Sequence, residues 1–257
     1  MSYSIFHKYR PYLLRIITVG LLVVLCIFEL FHRQTHATIK PDFKNMQVNE
    51  RKIAFIDYMV PFIKASNQKL LLERQKIIAL KERLDRQGYL SKDGYNTIHK
   101  LYKENKLGLS LAVSNADFKK LLKRVDIVPP ALALAQAALE SGWGTSRFAV
   151  KGNNYFGLHC FTSGCGLIPT GRGPDSTMEV TAYNTPEEGV MGYMYRLNTG
   201  SHFKAFRDIR AKIRSKNLDF KTSELLQGLH HYSELGGEEY MNLLQAVIKQ
   251  NNLEKYE

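Results

Sequence analysis

Two prolines and two glycines bracket a run of small apolar residues, Val128-Pro-Pro-Ala-Leu-Ala-Leu-Ala-Gln-Ala-Ala-Leu139, and leave Glu140 at its end. The run reads as a helix. Pro129 and Pro130 suit a first turn, where a missing N–H costs nothing. Leu132, Ala135 and Leu139 share one face at helical spacing. Gly142 and Gly144 then stop the helix and let a ligand approach the backbone. A carboxylic acid beside the indole of Trp143 is poorly solvated, so its charged form is disfavoured and its pKa should rise. A glutamate that holds its proton at neutral pH is what glycosidic bond cleavage needs from a general acid.

A lone glutamate at a helix end is ordinarily solvated surface, and a lone tryptophan is ordinarily core. Here Ser146-Arg-Phe-Ala149 and Gly152-Asn-Asn-Tyr-Phe-Gly157 follow the acid directly. Glycine-bounded elements with aromatic and amide side chains suit a carbohydrate groove, where rings stack on sugars and amides bond hydroxyls. Trp143, Asn154, Tyr155 and Phe156 are therefore expected to bind substrate.

Leu134-Ala-Gln-Ala-Ala-Leu-Glu140-Ser-Gly-Trp-Gly, followed by Asn153-Asn-Tyr-Phe-Gly157, resembles the motif of the bacterial glucosaminidases of glycoside hydrolase family 73. Cys160-Phe-Thr-Ser-Gly-Cys165-Gly is similar to the cysteine loop of that family's Bax-like branch. The resemblance runs from about Val113 to the C-terminus. It implies a lysozyme-like, mainly α-helical lobe, a small β-lobe, and hydrolysis of peptidoglycan at N-acetylglucosamine with Glu140 as catalytic acid. It implies no metal and no organic cofactor.

The second catalytic group is less plain. An inverting glycosidase needs a carboxylate base, and a retaining one needs a nucleophile or an internal substitute. Asp175, Glu179, Glu187 and Glu188 are the acids downstream. Glu179 falls in the expected β-lobe, the part that supplies the family's second acid. Glu187 and Glu188 suit a helix N-terminus. The substrate's own acetamido group is a further option. Tyr232 resembles the family's late tyrosine, although Ser-Glu-Leu follows it where the family has Ala-Thr-Asp; it either assists Glu140 or packs in the core. Tyr183 is expected to pack.

The formal net charge of +12 suits polyanionic partners, among them the carboxylates of cell wall. Nucleic acid is not expected, since no zinc spacing, RNP motif or basic block with interleaved aromatics is present. The N-terminus addresses location. Residues 16–31 are almost wholly apolar, and Lys8, Arg10 and Arg15 precede them. Basic residues stay cytoplasmic, so the remainder should be exported. An uncleaved inner-membrane anchor is the preferred reading. A cleaved signal peptide, giving a soluble periplasmic protein, is the alternative, with Thr35-His-Ala37 a rough cleavage site. Cys26 lies in the apolar run. Cys160 and Cys165, close together in an exported chain, should form a disulfide. A metal site there would need more ligands than the adjacent His159. His230 and His231 are expected at the surface or in packing.

The expected organisation is a head and anchor over 1–32, a linker over 33–48, a helical accessory region over 49–112 and a catalytic domain over 113–257. In the accessory region Pro61 should kink or interrupt a helix, Gly88 should end one, and Ser91 should cap the next. A helix is expected over 113–125. The glycine-rich stretch 158–182 reads as a β-hairpin or small β-lobe. Thr185-Pro-Glu-Glu188 starts a further helix, and helices near 218–229 and 238–250 complete the chain. The fold class is thus mainly α. The functional reading is a glucosaminidase cleaving the glycan rather than peptide bonds. The alternatives are a lytic transglycosylase, or a non-catalytic envelope module binding glycan or a partner.

Overall fold

The longest element, α1 (Val48–Gln87), runs for 40 residues, a length of about 60 Å. It passes through Pro61 without a break, contrary to the expected interruption. A proline removes one backbone hydrogen bond and crowds the preceding turn. Here the flanking turns are held by burial of Phe55, Tyr58, Met59 and Ile63, all at most 4% exposed. Gly88 ends the helix in the left-handed region, and its N–H bonds Leu84 O at 2.8 Å. α2 (Lys92–Glu104) starts at Ser91, whose side chain accepts from Gly94 N. α3 (Asn115–Arg124) starts in a capping box of Ser114 and Asp117. The end at Gly88 and the cap at Ser91 fall where the sequence places them.

The computed structural model describes residues 39–108, 112–218, 220–230, 232 and 236–257. The apolar run 16–31 and the rough cleavage site at 35–37 lie outside them, as does His231. Among the described residues no helix is long and apolar enough to cross a membrane.

Residues 42–257 form one compact unit. At its centre lies α4 (Pro130–Ser141), with Pro130 at its first turn and Gly142 as a left-handed C-cap. Residues 131–138 are all buried. The N-terminal half of α1, α6 (Pro186–Thr199) and α9 (Gly237–Gln250) enclose it in a single core cluster. A second cluster, built on Ile77, Ile98, Leu101, Tyr102, Phe118 and Leu121, joins the far end of α1 to α2 and α3. The N-terminal half of α1 therefore shares the core that carries Glu140, and its far end anchors α2 in the second cluster.

α5 (Arg147–Gly152) leads into the β-lobe. That lobe is a three-stranded antiparallel sheet, β1 (His159–Cys160), β2 (Gly166–Leu167) and β3 (Glu179–Thr181), in the order β1-β3-β2. Thr185 caps α6 as expected: its hydroxyl accepts from Glu188 N at 3.1 Å, while Glu188 Oε2 accepts from Asn184 N at 2.9 Å.

α7 (Lys204–Ser215) has no counterpart in the sequence reading. Its inward face includes Arg207 and Arg210, which disguise the apolar period; Arg210 is 1% exposed. Arg210 donates to Ile127 O at 2.8 Å and to Asn198 Oδ1 at 2.6 Å, and its Nε lies 4.0 Å from Asp126. Arg214 pairs with Asp126 at 2.9 Å. Buried charges persist only when paired and bonded in this way. Here they tie the entry of α4 to α6 and α7. After α8 (Thr222–Leu226) and α9 the chain ends in a 3-10 turn, Leu253–Tyr256.

Candidate active site

Glu140 occupies the last turn of α4 and is half-buried. Its Oε1 accepts a hydrogen bond from Tyr240 Oη at 2.7 Å. Its Oε2 lies beside Gly157, whose backbone has φ of +65°; a Cβ placed there would come within 3.5 Å of that oxygen. Burial pushes the carboxyl above the usual range, and the Tyr240 bond opposes this in part. The direction and its cause, poor solvation of the carboxylate, are those the sequence predicts. The Trp143 ring meets Phe55 edge-on at 5.8 Å and carries Lys52 Nζ 5.2 Å above it. The indole thus packs against α1.

Behind Glu140 stands a set of tyrosines from distant parts of the chain. Tyr240 stacks on Tyr232 with ring centroids 5.6 Å apart and planes 6° from parallel. Tyr232 meets Tyr193 edge-on at 6.4 Å, and Tyr193 stacks on Phe156 at 4.0 Å. Burial pushes all three phenols up from their ordinary values, so they stay neutral across the physiological range. Tyr232 Oη donates to Phe156 O at 3.1 Å. It supports the loop behind the acid, while Tyr240 is the phenol that touches Glu140. Gln136, one turn before Glu140, donates from Nε2 to Tyr240 Oη at 2.9 Å and accepts at Oε1 from Tyr193 Oη at 2.6 Å.

The loop residues expected to face sugar are turned inward. Tyr155 is fully buried and Phe156 is 2% exposed. Tyr155 packs 6.0 Å from Phe55. Asn154 donates to Leu158 O at 2.8 Å and Thr181 O at 2.9 Å, and its Oδ1 accepts from Phe156 N and Leu158 N. With four bonds to backbone, its amide is a clamp that fixes the loop carrying Gly157. A loop of this shape must satisfy its own buried N–H and C=O groups, and Asn154 does so.

Glu179 is nearly buried in β3. Its Oε1 accepts from Gly164 N at 3.0 Å and its Oε2 from Gly166 N at 2.7 Å, with Arg172 3.8 Å away. These amides hold its carboxyl below the usual range. Glu179 is therefore ionised, as a base or nucleophile must be, but both oxygens grip the cysteine loop. Cys160 and Cys165 are joined in a disulfide across that loop. The protein isolated without reductant should leave both thiols unlabelled by a maleimide until dithiothreitol is added. Ready labelling of the unreduced, denatured chain would refute the bond.

A half-buried glutamate with a raised pKa stands at a helix end, beside a loop that leads straight into a small antiparallel sheet, within a stretch that matches a family of glycosidases. Residues 115–253 match the Glucosaminidase family, described as mannosyl-glycoprotein endo-beta-N-acetylglucosaminidase, and the chain belongs to that family. It is 30% identical over 201 residues to Protein bax of Escherichia coli (strain K12), an alignment spanning 78% of this chain and 70% of that protein. The chain is thus a Bax-like member of the family. No solved structure matches it.

Proposed function

We propose that this chain is a lysozyme-like peptidoglycan hydrolase that cleaves the glycan strand at N-acetylglucosamine, with Glu140 as general acid. One observation carries the reading. Glu140 is a half-buried carboxyl with a raised pKa, one oxygen bound by Tyr240 and the other beside the bare backbone of Gly157. Such a group holds a proton where a glycosidic oxygen can approach and releases it as the bond breaks. Trp143, on the turn that follows the acid, shapes the end of the groove. Asn154, Tyr155, Phe156 and Tyr232 fix its floor from beneath.

A general acid works only when protonated. Activity should therefore be lost as pH rises through the Glu140 pKa, on an alkaline limb above the ordinary carboxyl range. Purified cell-wall sacculi are the substrate for the test, and mass spectrometry of the released fragments is the readout. Reducing-end N-acetylglucosamine is the expected product.

The lytic transglycosylase reading draws support from the Glu179 geometry. An acid held by two amides suits loop support, and a transglycosylase needs one glutamate alone. An anhydromuramic product would establish that reading instead.

The basic head and the apolar run at 16–31 support an inner-membrane anchor with the site in the periplasm. Full-length protein should then resist carbonate extraction. A mature N-terminus near Thr38, with activity in the soluble fraction, would replace the anchor with a cleaved signal.

A further inference from the structure

Three polar side chains stand in line behind Glu140, and the direction of each hydrogen bond matters. Tyr193 Oη donates to Gln136 Oε1, Gln136 Nε2 donates to Tyr240 Oη, and Tyr240 Oη donates to Glu140 Oε1. Gln136 and Tyr193 are fully buried, and Tyr240 is 1% exposed. A phenol has one proton to give, and an amide has distinct donor and acceptor ends. Once Tyr193 occupies the carbonyl end of Gln136, its NH2 end must face Tyr240. Tyr240 then has its acceptor side filled, and its single proton is directed to Glu140.

We propose that Gln136 and Tyr193 are a positioning pair that sets the polarity of the Tyr240 hydroxyl and so confines the acidic proton of Glu140 to Oε2. This deepens the proposed function and rests on it for its catalytic meaning. Oε1 is an acceptor in both protonation states of the acid. Oε2, beside Gly157, is the oxygen that carries and delivers the proton. Neither Gln136 nor Tyr193 touches substrate.

The opposite polarity is equally allowed by chemistry. If the Gln136 amide turned over, Tyr240 would donate to Gln136 and accept from a proton on Glu140 Oε1, which would hold that proton away from the groove. Tyr193 favours the first: with the amide turned, its buried hydroxyl would accept from Gln136, and its proton would lose the acceptor it has among the described residues. The groups bearing on Glu140 are Tyr193 of α6, Tyr232 ahead of α9, and Tyr240 of α9, while Arg196 of α6 bears on Tyr232. Burial keeps the phenols neutral, so the titration of Glu140 reports the direction of the Tyr240 bond.

The test is a carbon-13 NMR titration of the full chain labelled at glutamate Cδ, with the Glu140 signal identified by its loss in Glu140→Gln. Tyr193→Phe keeps the ring stacked on Phe156 but frees the Gln136 amide to turn, so the Glu140 pKa should rise. Gln136→Glu draws the Tyr240 proton to itself, and the pKa should rise further. Gln136→Met leaves Tyr240 with Glu140 as its partner, and the pKa should stay near the wild-type value. A role in packing alone predicts the reverse order, because Gln136→Met removes two buried hydrogen bonds and Tyr193→Phe only one.

On sacculi the alkaline limb should move upward in Tyr193→Phe, with kcat lowered about threefold to tenfold, the scale of one hydrogen bond to a charged group. KM should be unchanged. If Gln136→Glu fails to fold, the contrast between Tyr193→Phe and Gln136→Met still decides. An unchanged Glu140 titration in Tyr193→Phe, or an equal rise in Gln136→Met, overturns the inference. The expected NMR shifts without any fragment release from wild-type protein would uphold the polarity and sink the glycan-cleaving reading instead.

Discussion

Glu140→Gln is expected to reduce fragment release from sacculi at least about a hundredfold, the usual scale of general acid catalysis. Glutamine has the same shape and can still accept the Tyr240 hydroxyl at its carbonyl. It cannot deliver a proton to a leaving oxygen. Binding of undigested glycan should survive, because the surrounding loop is held by Asn154 and Tyr232 and not by the acid. The substitution should also stabilise the fold at neutral pH. The folded state raises the Glu140 pKa, so it binds the proton more tightly than the unfolded chain does. Stability in the wild type therefore declines as pH climbs from the ordinary carboxyl value through the raised one. A neutral glutamine removes that decline. The melting temperature of Glu140→Gln should exceed the wild type near pH 7, and the two should converge in acid. Wild-type turnover by this variant would end the general-acid assignment.

The second large effect concerns the accessory helices. A fragment beginning at residue 113 contains the whole stretch that matches the glucosaminidase family, yet it should not fold. It lacks Phe43, Phe55, Tyr58, Met59 and Ile63, which all belong to the core cluster around α4. Phe43 and Phe55 close on the turn after Glu140: a Cβ at Gly144 would lie 2.5 Å from the Phe43 ring and 3.0 Å from that of Phe55. Loss of one buried phenylalanine costs about 3–5 kcal/mol, against a total stability of roughly 5–15 kcal/mol for a domain. Removing five such side chains exceeds that reserve. The fragment should show no cooperative thermal transition and no activity, whereas 39–257 should show both. Phe55→Ala in the full chain is the milder version, expected to lower stability by about 3–5 kcal/mol. A soluble, active fragment 113–257 with a sharp melting transition would refute this account of α1.

Much of this was legible along the chain. The acid-bearing helix, its prolines and its glycine cap, the caps at Ser91 and Thr185, the end at Gly88, the cysteine loop and the family motif depend on residues within a few positions of one another. Hydrogen bonds of caps and turns close over such distances, so the sequence carries them directly. Gln136 was also within reach, since it lies one helical turn before Glu140 on the same face.

Its partners were not within reach. Tyr240 meets Glu140 across 100 residues, and Tyr193 meets Gln136 across 57. A tyrosine in an amphipathic helix has the same local signature whether it packs or positions an acid. Asn154, Tyr155 and Phe156 likewise look like a sugar-binding trio until the loop's unpaired backbone groups and the bulk of Phe55 turn them inward. α7 was hidden because arginines occupy its buried face, and burial of a charge makes sense only once Asp126 and the carbonyls around it are in place. Local chemistry determined where the elements begin and end and where the acid sits. Packing between elements decided which side chains surround it, because desolvation and hydrogen-bond direction are set by neighbours brought together only when the core closes.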